Sequence, residues 1–415
     1  EKHAEVIALR EPMGNRGLAP RPFDRGYPSR FFVGEAGTDK RNDRSARQSS
    51  LLAMTGAGLP GQLSPQLVRL RNQLARRDGY NNYFALAAAG LRLDVPEHLQ
   101  LLEHLEQASR TAYQTTLDDL SSQLDGNRPE IWDLGLSLYP DAALELERYL
   151  LYDSLVYLVY RTFDSMGVSL KQLPFYWHDK MRGHVMSPVQ CLPVKPPHDV
   201  RLWGYYGGGI QWSSKLMGQV GQALHALNIS QDRALFVNER HPHWREGVTS
   251  LFASLCSKSS WLEQFAMAPP VLVERFKTSQ QKADVVSLRV LLAHLKFEYE
   301  MYTNSDRDLN QLYWDILGEY LLIPRHEDLI IWPYVDAFAY HPVELQAALY
   351  GDMIAAQTEA YLEKQYGGLL SNSKAYSFLV QNYMRFGSRY SWQDLLQRGT
   401  GENLNSGYYL ARLGL

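Results

Sequence analysis

Positions 218, 219 and 222 of this 415-residue chain have the spacing of a zinc-activating helix, but not its residue types. Such a helix reads His-Glu-x-x-His. Its two imidazoles, four residues apart, share one face and hold the metal, and the glutamate beside the first histidine takes a proton from zinc-bound water. Here the stretch reads Gly218-Gln219-Val220-Gly221-Gln222-Ala223-Leu224-His225. Glycine has no side chain to offer a metal. An uncharged amide neither replaces imidazole as a zinc ligand nor takes a proton near neutral pH. The spacing of a hydrolytic centre is present and its chemistry is not.

Other reactive residue types give weaker alternatives. His241-Pro242-His243 with Glu246 form a relocated metal site only if the loop before Pro242 folds both imidazoles toward the carboxylate. The ordinary expectation for such a loop pair is solvation, and for His225 it is packing within its helix. Ser213, Ser214 and Ser257 lack the Gly-x-Ser-x-Gly elbow of a serine nucleophile. Cys191 and Cys256 have neither CxxC spacing nor a recognisable partner, which leaves one disulfide or two buried thiols as readings. Gly207-Gly208-Gly209 is not followed by the Gly-Lys-Ser/Thr of a phosphate loop. With Tyr205 and Tyr206 it reads either as a tight strand-to-helix turn or as the lining of a peptide site.

The elements that must position these residues are mainly helical. Leu67, Leu70 and Leu74 recur at helical spacing in a segment that closes at Gly79. Asp94 and Pro96 announce a long helix carrying Leu99, Leu102, Leu105, Leu117 and Leu120 on one stripe. Residues 141–165 are apolar nearly all round and are expected as one deeply buried helix. The period shortens around 184–206, where Val189–Val194 and Val200–Tyr206 flank Pro196-Pro197 and predict a strand pair. Residues 1–50 are rich in Arg, Gly and Pro without sustained period and are expected as an extended or partly disordered arm, with Phe23, Tyr27, Phe31 and Phe32 available for docking.

Composition sets the outer bounds. A chain of 45% hydrophobic residues builds a large core, in one domain or two lobes. A formal net charge of −3 and a pI near 6.5 argue against nucleic acid as the main partner. No apolar run approaches the roughly 18 residues of a membrane span. Glu1 in place of an initiator Met slightly favours an exported, periplasmic setting over a cytoplasmic one, without deciding it.

Four segments in order carry a family resemblance. They are Arg69-Leu70-Arg71-Asn72-Gln73-Leu74-Ala75-Arg76 with Gly79-Tyr80-Asn81-Asn82-Tyr83, then Arg245-Glu246-Gly247-Val248-Thr249-Ser250-Leu251-Phe252, then Glu298-Tyr299-Glu300-Met301-Tyr302 with Asp308–Asp315, and the tail from Trp332 through Gly351, ending in Gly401-Glu402-Asn403-Leu404-Asn405. From about Ser64 to the C-terminus the chain resembles the gluzincin oligopeptidases, the group of oligoendopeptidase F, thimet oligopeptidase and angiotensin-converting enzyme. The resemblance implies a mainly α fold of two helical lobes around a deep cleft with a small β-element. It implies an N-terminal helical lobe over 51–180 and a degenerate catalytic lobe over 181–415. It also implies that Gly218 and Gln222 replace the zinc histidines, that Gln219 replaces the general base, and that Glu246 is the surviving third ligand.

In the same frame Ser250 replaces an acidic support of that ligand, and Glu344, Leu345, Gln346 and Ala348 stand where oxyanion donors belong. The chain before the zinc helix runs beside substrate in active relatives, so Tyr205, Tyr206, Gly207, Gly208, Gly209, His341 and Gln346 are the peptide-binding candidates. The expected protein is a zinc-free pseudopeptidase without cofactor, a monomer or part of a hetero-complex, holding a peptide or protein partner. The alternatives are an assembly subunit working through its surface or arm, and a hydrolase with relocated metal. Changing Gly218→His, Gln219→Glu and Gln222→His tests this frame: zinc uptake would confirm that Glu246 still faces the vacant site.

Overall fold

The computed structural model describes residues 43–56, 63–178, 188–230 and 241–415. Helices dominate, with one three-stranded sheet, in keeping with the expected mainly α class. Among the described residues no helix is long and apolar enough to cross a membrane. Residues 1–42 of the expected arm lie outside the described residues, and the end of that segment is helical within Arg44–Gly56. Arg44 and Arg47 tie this helix to the fully buried Asp133 at 2.9 and 2.7 Å.

Two compact units share the chain, and they are interleaved rather than split near residue 180. The first combines the described residues up to Pro140 with Ser279–Gln346. Its helix Pro65–Arg77 starts where the Ser64 hydroxyl accepts the Leu67 N–H, with Pro65 at the first position needing no partner. Asn82 and Asp94 cap Tyr83–Gly90 and Val95–Gln123 in the same way. Arg71 is buried and donates to the Tyr302 hydroxyl and to the Phe338 and Ala339 carbonyls at 2.8, 2.8 and 2.6 Å. Asn72 donates to the Tyr302 carbonyl and accepts the Tyr83 N–H. The Arg-Asn pair of the first resembling segment is therefore a polar anchor among helices. Removing it would leave buried carbonyls unpaired.

The second unit combines Asp141–Thr278 with Ala347–Gly414 and contains the sheet. Strand order is β1 (Phe175–His178), β3 (Asp199–Trp203), β2 (Gln190–Lys195). β2 and β3 are the expected antiparallel pair, with Cys191 opposite Leu202. β1 lies parallel on the far side of β3 and was not expected, because Phe-Tyr-Trp-His has no apolar/polar alternation to read. The extended stretch expected at His184–Met186 falls outside the described residues.

Residues 141–165 are not one buried helix. They form Asp141–Leu146, a turn at Glu147–Tyr149, and Tyr152–Ser165. The break falls at Leu150, whose carbonyl accepts the Gly209 N–H at 2.8 Å. Leu151 and Tyr157 are 58% and 62% exposed, so apolar content on every side did not translate into burial.

One buried carboxylate of the first unit makes a measurable pH dependence. Glu298 is fully buried, and its two oxygens accept the Val343 N–H at 2.7 Å and the Gln346 amide at 3.2 Å. Val343 sits at φ 68, a left-handed conformation that costs a β-branched residue energy and that this bond helps to hold. Burial pushes the Glu298 carboxyl up to about 7, against the opposing pull of the Val343 N–H, Gln346 and Arg71. A folded-state value above the unfolded one means stability that is present below the unfolded value near 4.5 and lost as pH rises through about 7. Buried His98, lowered to about 4, has the opposite slope: its contribution is present above 6.5 and lost as pH falls through about 4. Comparing Glu298→Gln with the wild type isolates the carboxylate. The wild-type loss of stability from pH 5 to pH 8 should exceed that of the variant by ~3 kcal/mol at most, read from denaturant unfolding at the two pH values.

Candidate functional site

The helix that bears the amides, Ile210–Leu227, begins directly after the three glycines. Gly209 has φ 93, and its N–H reaches the Leu150 carbonyl. A Cβ at Gly207 would lie 2.6 Å from Trp212 Nε1, and one at Gly208 would lie 3.0 Å from the Leu150 carbonyl oxygen. The glycines are thus a close-packed strand-to-helix turn, with Gly208 and Gly209 seated on residues 147–152 and the Gly209 N–H committed to that contact. The aromatic candidates beside them differ. Tyr206 stacks on Tyr152 at 4.7 Å and meets Trp177 edge-on, while Tyr205 is exposed and leans on Trp212. Phe175 extends this row through Trp177.

Ile210–Leu227 packs along Pro242–Ala253, the helix of Glu246, and glycines set the separation. A Cβ on Gly218 would fall 2.9 Å from Thr249 Cγ2 and 3.0 Å from the Thr249 carbonyl oxygen. On Gly221 it would fall 2.8 Å from Phe252 Cβ. The other flank of the Glu246 helix is equally tight: a Cβ on Gly351, in the helix Gln346–Tyr366, would lie 2.5 Å from Glu246 Cβ, and one on Gly247 would lie 2.7 Å from Ile354.

Each polar residue of the expected centre has a structural bond. Gln222 donates its amide to the Thr249 hydroxyl at 2.6 Å, and that hydroxyl donates to the Arg245 carbonyl at 2.9 Å. The Gln219 side-chain oxygen accepts the Cys191 N–H of β2 at 2.7 Å. Glu246 is buried and accepts from Arg245 Nε at 3.1 Å. Ser250, read as the replacement of an acidic residue, donates its hydroxyl to Asp352. Thr249 and Asp352 escaped the sequence reading. Thr249 lies within one helical turn of Glu246 and was accessible to it, whereas nothing local connects Ser250 to a carboxylate on a distant helix.

The remaining candidates are dispersed. His243 is fully buried, stacked on Trp392 at 5.4 Å and edge-on to Tyr350, with the His241 ring 4.8 Å away. His225 is buried within its helix. His341 is partly exposed, with Nδ1 3.8 Å from Glu344. Gln346 is fully buried in the first unit and donates its side-chain amide to Glu298 at 3.2 Å. Cys191 and Cys256 are both buried.

Among the described residues no group of three or more His, Cys, Asp or Glu side chains is placed to share a metal ion. A glycine, an amide bonded to threonine and a carboxylate bonded to arginine do not fit zinc, which takes imidazole, thiolate or carboxylate donors in a tetrahedral set.

No family model matches the chain, and no curated protein does. Among solved structures it is similar to one described as PZ peptidase A with inhibitor 2. The TM-score is 0.67 over 100% of this chain and 74% of that chain, at 12% identity. That likeness places the chain in a mainly α, zincin-like metallopeptidase fold.

The helix contact makes a direct prediction. Gly221→Ala adds a methyl against fully buried Phe252 and should lower stability by ~1–3 kcal/mol, although alanine is the better helix former by ~1 kcal/mol. Gly90→Ala, which meets nothing within 4 Å, serves as the control and should be neutral or mildly stabilising in the same unfolding titration.

Proposed function

We infer that a metallopeptidase fold is used here for holding a peptide or protein segment and not for cutting one. One observation carries the reading: the positions where the fold needs imidazole, carboxylate and imidazole are Gly218, Gln219 and Gln222, and the two amides are already bonded to Cys191 and Thr249. Without a bound metal and a proton acceptor, water at this site keeps its ordinary acidity, near 15.7 instead of about 7. Amide hydrolysis then lacks both its nucleophile and the charge stabilisation that contributes several kcal/mol to lowering the barrier. A bound segment is released intact.

The side chains best disposed to bind are aromatic. Tyr205 and Tyr206 present flat apolar faces with a polar tip, next to Trp177 and Trp212. Gly207, Gly208 and Gly209 support them by letting the turn sit close to residues 147–152. His341 remains a candidate on the first unit. The relocated-metal alternative is disfavoured by the partners of its members: Glu246 bonds Arg245 and His243 stacks on Trp392.

A second reading, an assembly subunit working through its outer surface, has its own support. Tyr157, Met267 and Val271 of the second unit are 62%, 71% and 75% exposed, and large apolar side chains left in water are characteristic of contact surfaces.

Two assays test the binding reading. Internally quenched peptides with added zinc should show no turnover above buffer, and turnover that disappears in Glu246→Gln would sink the proposal. Peptides selected from a displayed random library should bind the chain, with Tyr205→Ala and Tyr206→Ala each weakening them roughly tenfold. If selected peptides ignore both substitutions but lose affinity when Met267 and Val271 become serine, the assembly reading takes its place.

A further inference from the structure

The Gln219 bond has a consequence for the sheet. Val200 donates its N–H to Pro174 on the β1 side, at 3.3 Å. Backbone groups alternate in direction along a strand, so Val200 and Leu202 face β1, and their opposite residues on β2, Pro193 and Cys191, turn their backbone groups outward. The outward N–H of Cys191 is where an added strand would take its first hydrogen bond, and Gln219 occupies it at 2.7 Å. The next outward position is Pro193, which has no N–H, and the register shifts between Pro193 and Lys195. From Cys191 to Pro193 the β2 edge has no donor left for an incoming chain.

The same helix is closed on its other face. Thr249 is fixed by two hydrogen bonds, accepting from Gln222 and donating to Arg245, so its methyl cannot turn away from a side chain at 218. Its carbonyl oxygen, 3.0 Å from the position of that Cβ, belongs to a helix backbone and cannot move independently.

We propose that Gly218, Gln219 and Gln222 form an internal lock that joins the helices Ile210–Leu227 and Pro242–Ala253 to strand β2, closing the helix pair to a metal ion and the β2 edge to strand addition. Gly218 supplies close approach, Gln222 the bond across the helix pair, and Gln219 the bond to the strand. The lock narrows the binding reading above without depending on it: a held segment engages the Tyr205–Tyr206 surface and does not extend β2. It also implies that Gly218→His, Gln219→Glu and Gln222→His together return no zinc site, because a histidine at 218 has no room for its first carbon.

Hydrogen exchange read residue by residue tests the strand half. The Cys191 amide should exchange slowly in the wild type and in Gln219→Glu, whose carboxylate still accepts the bond. It should exchange at least tenfold faster in Gln219→Ala while Leu192, facing β3, is unchanged. Equal Cys191 rates in the wild type and Gln219→Ala would overturn it.

The helix half is tested with zinc alone. The Gly218→His, Gln219→Glu, Gln222→His chain should take up no stoichiometric zinc, and one ion per chain with a native-like unfolding midpoint would refute the lock. Should that chain fail to fold, Gly218→Ala decides. Its unfolding midpoint should fall, and Thr249→Ser in the same chain, which removes the methyl and keeps the hydroxyl, should restore part of the loss. An unchanged midpoint in Gly218→Ala counts against the proposal. Neither result depends on whether peptides bind, so failure of the lock and failure of the binding reading are separable.

Discussion

The helix Pro242–Ala253 lies so close to its two neighbours that neither contact has space for a side chain. Gly218 and Gly221 admit it on one flank, and Gly351 and Gly247 on the other. Helices packed through ordinary side chains stand 8–10 Å apart, and the first carbon of a side chain is enough to hold them off. Here the separation is set by backbone against side chain, and the position of Glu246, Thr249 and Ser250 follows from it. In this arrangement the residue at 218 is a packing residue before it is anything else.

Close approach explains why the polar residues of this region are amides and hydroxyls. A buried group must find a partner or cost free energy. Gln219 and Gln222 reach a strand N–H and a hydroxyl without carrying charge, so they join neighbouring elements at no cost of ion desolvation. Glu246, the one acid of the set, is compensated by the adjacent Arg245. Charge enters the core of the first unit on similar terms. Arg71 and Arg289 are buried because carbonyls and, for Arg289, the Glu106 carboxylate surround their guanidinium groups.

Close packing and polar anchoring are therefore enough to account for this fold. The fold is a matter of helix packing and polar anchoring, and Arg71 with Asn72 contributes to it without touching any reactive atom. Gly218, Gln219 and Gln222 serve close packing and the bonds between neighbouring elements. Binding through aromatic faces makes no such demand, since rings such as Tyr205 and Tyr206 need only exposure and a rigid support.

Much of this was legible along the chain. Ser64, Asn82 and Asp94 mark helix starts by a local rule, and the recurrence of leucines marks helical faces. Composition overstated burial at Leu151 and Tyr157, because the break at Leu150 answers to Gly209 rather than to the helix itself. Gln346, named as a peptide-binding candidate, is buried against Glu298, a partner 48 residues away that no local pattern points to.

Sequence alone determined helix caps and fold class, since each depends on residue type and on neighbours a few positions away. Only tertiary structure decided that Gln219 caps β2, that Gln222 bonds Thr249, that Asp352 meets Ser250, and that Gly218 has no room for a carbon. Those contacts join positions brought together by packing, and no local pattern encodes the distance between two helices.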